Sequence, residues 1–330
     1  MAIDEIFMRR ALQLARRGCG FASPNPMVGA VVECEGKIIG EGFHRCCGQG
    51  HAEVNAIASV RNRDLLCMST IYVTLEPCSH YGKTPPCSKL IIDSRIPRVV
   101  VGTVDPFAKV SGRGIAMLRD AGVEVKVGVL EDECRRLNER FFYAHTHGRP
   151  YVQLKWAETA DGFLATTESD GSHKPIAVSS PFTQMLMHRE RAKCDAIIVG
   201  AGTVVSDNPS LSVRLWPSRV NPLRVVLDRN NLIPSDAAVI TDGGCTHVVS
   251  NDNIEALLAD LYNRNITSVM VEGGANVLSR FIASGCWNEA RVERNMGISL
   301  GCGLHAPHID GLLTNVEKHF QSIIYCFTNR

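Results

Sequence analysis

His51-Ala52-Glu53, followed by Thr74-Leu75-Glu76-Pro77-Cys78 and then Pro85-Pro86-Cys87, decides how the first half of this chain reads. One His and two Cys can hold a zinc ion through three protein ligands. Structural zinc sites are closed by four ligands, whereas three leave a position for water, which is the arrangement of a catalytic site. Zinc lowers the pKa of such a water to about 7, so hydroxide is available at neutral pH. Glu53 follows His51 by two positions, which sets a carboxylate near the metal without making it a ligand. There it can carry protons.

Taken singly, these residues are ordinary. A lone His in a helix is usually structural, and free Cys often serve as small buried hydrophobes. The set carries the signal. His-x-Glu, then Pro-Cys and a second Cys, is the signature of the zinc deaminases of nucleobases. Here Cys78 and Cys87 enclose the eight residues Ser79 to Pro86, where that signature has the C-x-x-C spacing. The longer loop brings His80 and Lys83, a donor and a cation that suit a substrate with more polar groups or a phosphate.

Length and composition bound the rest. A chain of 330 residues has room for two domains of the usual ~100–200 residues. Its 45% hydrophobic and 21% charged content is that of a globular protein. A net charge of +1 gives no basic surface for nucleic acid. The start, Met1 to Gly18, is an amphipathic helix with acids and bases interleaved, unlike a signal peptide. No apolar run approaches the ~20 residues of a membrane helix. Thirteen scattered Cys, an odd number, read as reduced thiols and point to the cytoplasm.

Apolar spacing predicts helices over 4–17, 51–60, 87–94, 112–121 and 130–145, with strands over 28–34, 37–43, 70–75, 98–103 and 123–127. A tight turn at Glu35-Gly36 joins the first two strands. This alternation is that of an α/β layered domain. It places the metal ligands at helix starts and a strand end, on one edge of the sheet. His147-Gly148-Arg149-Pro150 punctuates the chain and marks a boundary between domains 1–147 and 150–330. A second α/β series follows, with strands over 151–156, 195–199, 223–228 and 268–271 and helices over 179–192, 252–263 and 276–284. No element is assigned after Cys286, where Gly297, Gly301 and Gly303 interrupt the pattern.

Two further stretches carry chemistry. Ala22-Ser23-Pro24-Asn25-Pro26-Met27-Val28-Gly29 is a proline-stiffened turn that presents Asn25, whose amide offers a donor and an acceptor to a pyrimidine edge. Val199-Gly200-Ala201-Gly202-Thr203 and Val271-Glu272-Gly273-Gly274-Ala275-Asn276 are two glycine-rich strand exits. Such exits let backbone N–H groups approach a phosphate at a helix start. They suggest a nucleotide cofactor, although glycines serving tight packing would look the same. Neither has the spacing of a Rossmann fingerprint.

His51-Ala52-Glu53-Val54-Asn55-Ala56, the run from Thr74 to Cys87 and Asn25-Pro26-Met27-Val28-Gly29 resemble the bifunctional riboflavin-biosynthesis deaminase/reductases. In the second half, Arg149 to Lys155, Asp161-Gly162, Asp195 to Gly200, Asp207-Asn208-Pro209-Ser210-Leu211 and Val271 to Gly274 resemble the reductase domain of the same family. The resemblance implies a cytidine-deaminase-like three-layer α/β/α domain and a dihydrofolate-reductase-like α/β domain. It implies one zinc ion per chain and NADPH. The first domain would deaminate 2,5-diamino-6-ribosylamino-4(3H)-pyrimidinone 5′-phosphate, and the second would reduce the ribosyl group to ribityl. His51, Cys78 and Cys87 would hold zinc, with Glu53 as acid and base. Asn25, His44, His80 and Lys83 would line the deaminase pocket. Arg191, Leu211, Arg214 and Glu272 would contact the reductase substrate. Glu158, Thr203, Asp207, Arg229 and the segment Gly274, Ala275, Asn276, Val277, Leu278, Ser279, Arg280 would lie along NADPH, with Asp207 where nicotinamide and sugar meet.

The chain departs from the family at Phe107, where many members have Asn, and at Ala177, where many carry Trp. The tail after Arg291 matches loosely. A homo-oligomer, dimer or tetramer, is expected, with a small-molecule substrate and neither nucleic acid nor membrane as partner. The competing reading is a zinc deaminase of another pyrimidine with a second domain that does not reduce.

Overall fold

The computed structural model describes residues 2–81, 85–106, 112–218 and 220–329. Lys83 and Phe107, both singled out above, lie outside the described residues. The chain divides into two compact units, Met1–His147 and Gly148–Arg330.

In chain order the first unit contains α1 (Ile3–Ala15), β1 (Gly29–Cys34), β2 (Lys37–Phe43), α2 (Ala52–Ser59), β3 (Thr70–Leu75), α3 (Cys87–Asp93), β4 (Arg98–Thr103), α4 (Arg113–Asp120), β5 (Glu124–Val127), α5 (Glu131–Leu137) and α6 (Glu139–His147). Its sheet has the order β2-β1-β3-β4-β5, antiparallel around β1 and parallel from β3 to β5. Successive strand residues face opposite sides, and the sequence fills both. Ala30, Val32, Ile71, Val73, Val99 and Val101 pack under α2, α3 and α4. Val31, Tyr72 and Val100, one position over, pack against α1 and α5. That double filling makes three layers, helix on sheet on helix. Glu35 and Gly36 both take positive φ, 51° and 78°, as a two-residue hairpin turn between β1 and β2 requires.

One helix predicted over 130–145 is in fact two. The break falls at Asn138, whose buried side chain is engaged elsewhere. Its Oδ1 accepts from Met27 N at 2.8 Å and its Nδ2 donates to Met27 O at 2.8 Å. A short polar side chain that satisfies a distant backbone in this way gives the helix an exit, and it fixes the turn that carries Asn25.

The second unit contains β6 (Tyr151–Thr159), β7 (Phe163–Thr167), β8 (His173–Pro175), α7 (Pro181–Arg191), β9 (Ala196–Gly200), α8 (Ala201–Asp207), β10 (Leu223–Leu227), α9 (Ala238–Thr241), β11 (Thr246–Val249), α10 (Ile254–Asn263), β12 (Ser268–Val271), α11 (Ala275–Ala283), β13 (Glu289–Asn295), β14 (Leu304–His305), β15 (Leu312–His319) and β16 (Ser322–Thr328). The main sheet has the order β11-β10-β9-β12-β6-β13-β16-β15, parallel from β11 to β13 and antiparallel at β16 and β15. Ile198, Val225, Val269 and Leu154 face α10 and α11, while Ile197, Val199 and Val226 face the α8 and α9 side. Ser180 caps α7 by accepting from Thr183 N at 3.2 Å, with Pro181 at the first helical position.

The strands after Cys286 escaped the sequence reading because their charges are paired across the sheet. Glu293 is buried and accepts from the Ser179 and Ser322 hydroxyls at 2.6 and 2.8 Å. Arg291 of β13 pairs with Glu317 of β15 at 3.2 Å. A run such as Glu289-Ala-Arg-Val-Glu-Arg-Asn does not read as a half-buried strand until those partners are known.

One buried charge ties α1 to the sheet. The Asp4 carboxylate accepts from Arg98 at 3.0 Å through both oxygens, from Lys126 at 2.7 Å and from the Tyr72 hydroxyl at 3.1 Å. The Arg98 hydrogen bonds hold its carboxyl well below the usual carboxylate range, against the upward push of burial. A depressed folded pKa contributes stability that is full above the unfolded value of about 3.9 and is lost as pH falls toward the folded one. Asp4→Asn is therefore expected to cost about 2 kcal/mol at pH 7, the scale of losing charge-assisted hydrogen bonds. The gap to the parent should close below about pH 4. Thermal unfolding of both proteins across that pH range checks it.

Candidate active sites

His51 stands at the N-cap of α2, Cys78 lies just past the end of β3, and Cys87 opens α3. Three element ends thus deliver one nitrogen and two sulfurs to a single point. His51 Nδ1 lies 3.6 Å from Cys78 Sγ and 3.3 Å from Cys87 Sγ, and all three ligand atoms fall within 4.8 Å of one another. A tetrahedral zinc with bonds of about 2.3 Å to sulfur and 2.0–2.1 Å to nitrogen separates neighbouring ligand atoms by about 3.5–3.8 Å. The triangle fits the ion. Cys78 is drawn toward thiolate, chiefly by a hydrogen bond from Cys87 and then by His51, while Cys87 is pushed up by Cys78. A zinc ion binds cysteine as thiolate, so its binding there would release protons from the two sulfurs.

Glu53, in the first turn of α2, is buried beside this triangle. Burial pushes its carboxyl up to about 7, opposed by the nearby His51, and its side chain hydrogen-bonds Cys87. A group that takes up and gives back protons near neutrality is what proton transfer requires.

Asn25 and His44 meet next to the ligands. Asn25 Nδ2 lies 3.1 Å from His44 Nε2, and the His44 ring meets His51 edge to face at 5.5 Å. His44 is 2% exposed, and burial lowers its pKa, so the ring is neutral. Its Nδ1 lies 3.3 Å from Gly50 O, an acceptor only. That assigns the proton to Nδ1 and leaves Nε2 to accept from Asn25. His80 is exposed on the loop beyond Cys78.

In the second unit a cleft of about 830 Å³ opens where strands β9, β10 and β12 end, the edge at which open parallel sheets bind ligands. Gly200, Ala201, Gly202, Thr203, Asp207, Arg229, Gly274, Ala275, Asn276, Val277 and Arg280 line it. A Cβ on Gly200 or Gly273 would come within 2.9 or 2.8 Å of the Val277 side chain, so these two serve close packing, whereas Gly202 faces open space. Thr203 Oγ1 accepts from Gly274 N at 3.1 Å and ties the two strand exits together. Arg229 and Arg280 both pair with Asp252, at 3.0 and 3.3 Å.

Three residues assigned by resemblance have their side chains elsewhere. Leu278 is in the hydrophobic core and Ser279 is exposed; neither lines the cleft. Glu158 is buried and held by Trp156 Nε1 at 2.9 Å and Arg294 at 2.7 Å. Arg191 and Glu272 come together as a buried pair, two hydrogen bonds of 2.6 Å each. Leu211 is buried with φ 51°, and Arg214 is exposed, reaching the Ser212 hydroxyl at 2.9 Å.

Two residues beside that pair went unmarked in the sequence. Burial lowers the Lys155 ammonium, opposed by Glu272 and Glu293. His188 is 2% exposed and is pushed down to about 4, first by burial and then by Arg191 and Arg214. The signal for Lys155 was its place inside the otherwise uncharged strand run Tyr151-Val152-Gln153-Leu154-Lys155-Trp156. Nothing local marks His188 among the polar residues of α7.

A family model for the cytidine and deoxycytidylate deaminase zinc-binding region matches residues 1–103, and one for the RibD C-terminal domain matches 150–293. The riboflavin biosynthesis protein RibD of Aquifex aeolicus (strain VF5) is 41% identical over 326 residues, covering 91% of this chain and 90% of its own length. That of Escherichia coli (strain K12) is 32% identical, covering 87% and 86%. The crystal structure of a diaminohydroxyphosphoribosylaminopyrimidine deaminase/5-amino-6-(5-phosphoribosylamino)uracil reductase from Thermotoga maritima matches over 99% of each chain, with 38% identity and a TM-score of 0.90. The ligand triangle in one unit and the cleft in the other therefore belong to one design: the chain is a member of the RibD family, the bifunctional zinc deaminases and NADP-dependent reductases of riboflavin biosynthesis.

Proposed function

We propose that residues 1–147 remove an amino group from 2,5-diamino-6-ribosylamino-4(3H)-pyrimidinone 5′-phosphate, and that residues 150–330 then reduce the ribosyl chain to ribityl. The observation that carries the first step is Glu53, a buried carboxyl in the first turn of α2 beside three ligand atoms that fit zinc. Zinc held by His51, Cys78 and Cys87 supplies a water acidic enough to attack at neutral pH. Glu53 would take one proton from that water and pass it to the ring nitrogen, then take the second from the hydroxyl added at the reacting carbon and pass it to the amine, which leaves as ammonia as the carbonyl forms. Asn25, oriented by the neutral His44, addresses the pyrimidine edge. His80 and Lys83 supply polar contacts to the ribosyl phosphate.

Supporting the second step is the cleft lined by Gly202, Thr203, Asp207 and the start of α11. These residues would hold NADPH, which would supply hydride to C1 of the opened sugar. Asp207, which lines the cleft, would lie where nicotinamide and sugar meet, and Arg214 would hold the substrate phosphate as a charge partner. Arg191 and Glu272 present a fixed ion pair beside Lys155. We assign the NADPH 2′-phosphate to Arg229 and Arg280, which Asp252 gathers on the cleft wall. The working chain is proposed to be a homo-oligomer in the cytoplasm. No helix among the described residues is long and apolar enough to cross a membrane.

Glu53→Gln is expected to keep zinc by metal analysis and to lose ammonia release by about 10²–10⁴-fold. Chelation of zinc should abolish ammonia release while NADPH oxidation on deaminated substrate persists. A Gln variant near the parent rate would remove Glu53 from the mechanism.

Asp207→Ala should impair NADPH oxidation strongly and leave ammonia release unchanged. Arg229→Ala combined with Arg280→Ala should raise KM for NADPH about tenfold or more, the scale of one charge-assisted contact, and leave KM for NADH nearly unchanged. Equal losses with both cofactors would move the 2′-phosphate elsewhere.

A further inference from the structure

Glu76 ends the run that leads into Pro77-Cys78, and its side chain is buried at 4% exposure. Its carboxylate is held by main-chain donors from a different part of the chain. Oε1 accepts from Gly114 N at 2.9 Å and Ile115 N at 3.3 Å. Oε2 accepts from Gly112 N at 2.9 Å and Asp105 N at 3.3 Å. Three of these four donors belong to the start of α4, where N–H groups lack intrahelical partners and the helix dipole favours an anion.

A second observation concerns the same contact and does not involve the carboxylate. A Cβ on Gly114 would lie 1.9 Å from Pro77 O, so α4 approaches the Pro77 carbonyl as only glycine allows. Residues 76 and 77 are thus both pressed onto the start of α4, and Cys78 follows them directly. The other side of Cys78 is held by α3. Ser88 N and Oγ donate to Cys78 O at 3.2 and 3.0 Å, and Cys87 N donates to Cys78 Sγ at 3.3 Å. The Ser88 hydroxyl also lies 3.1 Å from Met117 Sδ of α4.

We propose that Glu76 is a positioning residue of the metal centre: by fastening the end of β3 to α4 it sets where the Cys78 sulfur stands relative to His51 and Cys87. It touches no ligand atom and acts only through Cys78. A carboxylate that merely capped α4 would contribute stability and leave the ligand triangle unchanged. The proposal rests on the zinc reading of His51, Cys78 and Cys87, which the unmodified chain tests separately by binding cobalt(II) with thiolate-to-metal charge-transfer bands.

Glu76→Gln in the full-length chain separates the two roles. Gln keeps the shape but turns an NH2 group toward two N–H donors. The expected result is zinc affinity weakened by about 10–100-fold, the usual cost of losing a group that orients a ligand, measured by competition with a chromogenic chelator. The cobalt(II) d–d and charge-transfer bands should shift, and NADPH oxidation on deaminated substrate should stay at the parent rate. Glu76→Asp keeps the charge one methylene short and should give a smaller shift in the same direction. In the unmodified protein, amide hydrogen exchange at Gly114 and Ile115 should slow when zinc is added, because metal and clamp hold the same strand end. Parent zinc affinity and a parent cobalt spectrum in either folded variant would overturn the proposal. So would exchange at Gly114 and Ile115 that ignores zinc, an outcome readable even if neither variant folds.

Discussion

Two sulfurs and one ring nitrogen, all within 4.8 Å of each other, are the constraint around which the first unit is organised. No single element can supply them. His51 comes from a helix cap, Cys78 from a strand end and Cys87 from a helix start. Their meeting therefore depends on how α2 and α3 seat against β3. The apolar residues that seat them, Ala52, Ala56, Ile57 and Ile91 on the helices and Ile71 and Val73 on the strand, are fully or almost fully buried. Core packing and metal geometry are in this sense one problem. A shift of β3 along its length would move Cys78 and leave His51 behind.

The second unit solves a different problem with the same materials. Six neighbouring parallel strands run through its sheet, and the cleft opens where β9, β10 and β12 end. Glycines at two strand exits let helix α11 approach through Val277, and Thr203 joins the exits to each other. The unit's buried charges are ones that would be costly to bury alone, namely Arg191 with Glu272, and Lys155 near Glu272 and Glu293. Removing one partner of such a pair leaves the other unpaired and typically costs about 3–5 kcal/mol. Arg191 and Glu272 are thus bound to the stability of the unit.

What could be read from the sequence was what local pattern encodes. The short β-branched and apolar runs Thr70–Leu75 and Ser268–Val271 gave their strands to the residue. His-x-Glu with two Pro-Cys pairs gave the ligands, because each sits at an element end marked by its own neighbours. The unread parts depend on distant partners. Asn138 breaks a helix only because Met27 needs its amide. Strands β13, β15 and β16 carry charges that make sense only when paired across the sheet. Glu76 reads as one more residue of the motif until the start of α4 is seen to supply its hydrogen-bond donors. Leu278 was assigned to the cofactor because its segment is, yet the helical period turns its side chain into the core.

The central claim is that one chain performs two reactions in a fixed order, each in its own unit. Supplying the diaminopyrimidinone ribosyl phosphate to the full-length, zinc-loaded enzyme, with and without NADPH, tests it most directly. Without NADPH, the account requires ammonia in amount equal to the substrate and an unreduced ribosyl product. With NADPH, it requires the same ammonia and an equal amount of NADPH oxidised, with ammonia appearing first. Ammonia release with no NADPH consumed would contradict the account, as would oxidation of NADPH on the undeaminated substrate by zinc-free enzyme.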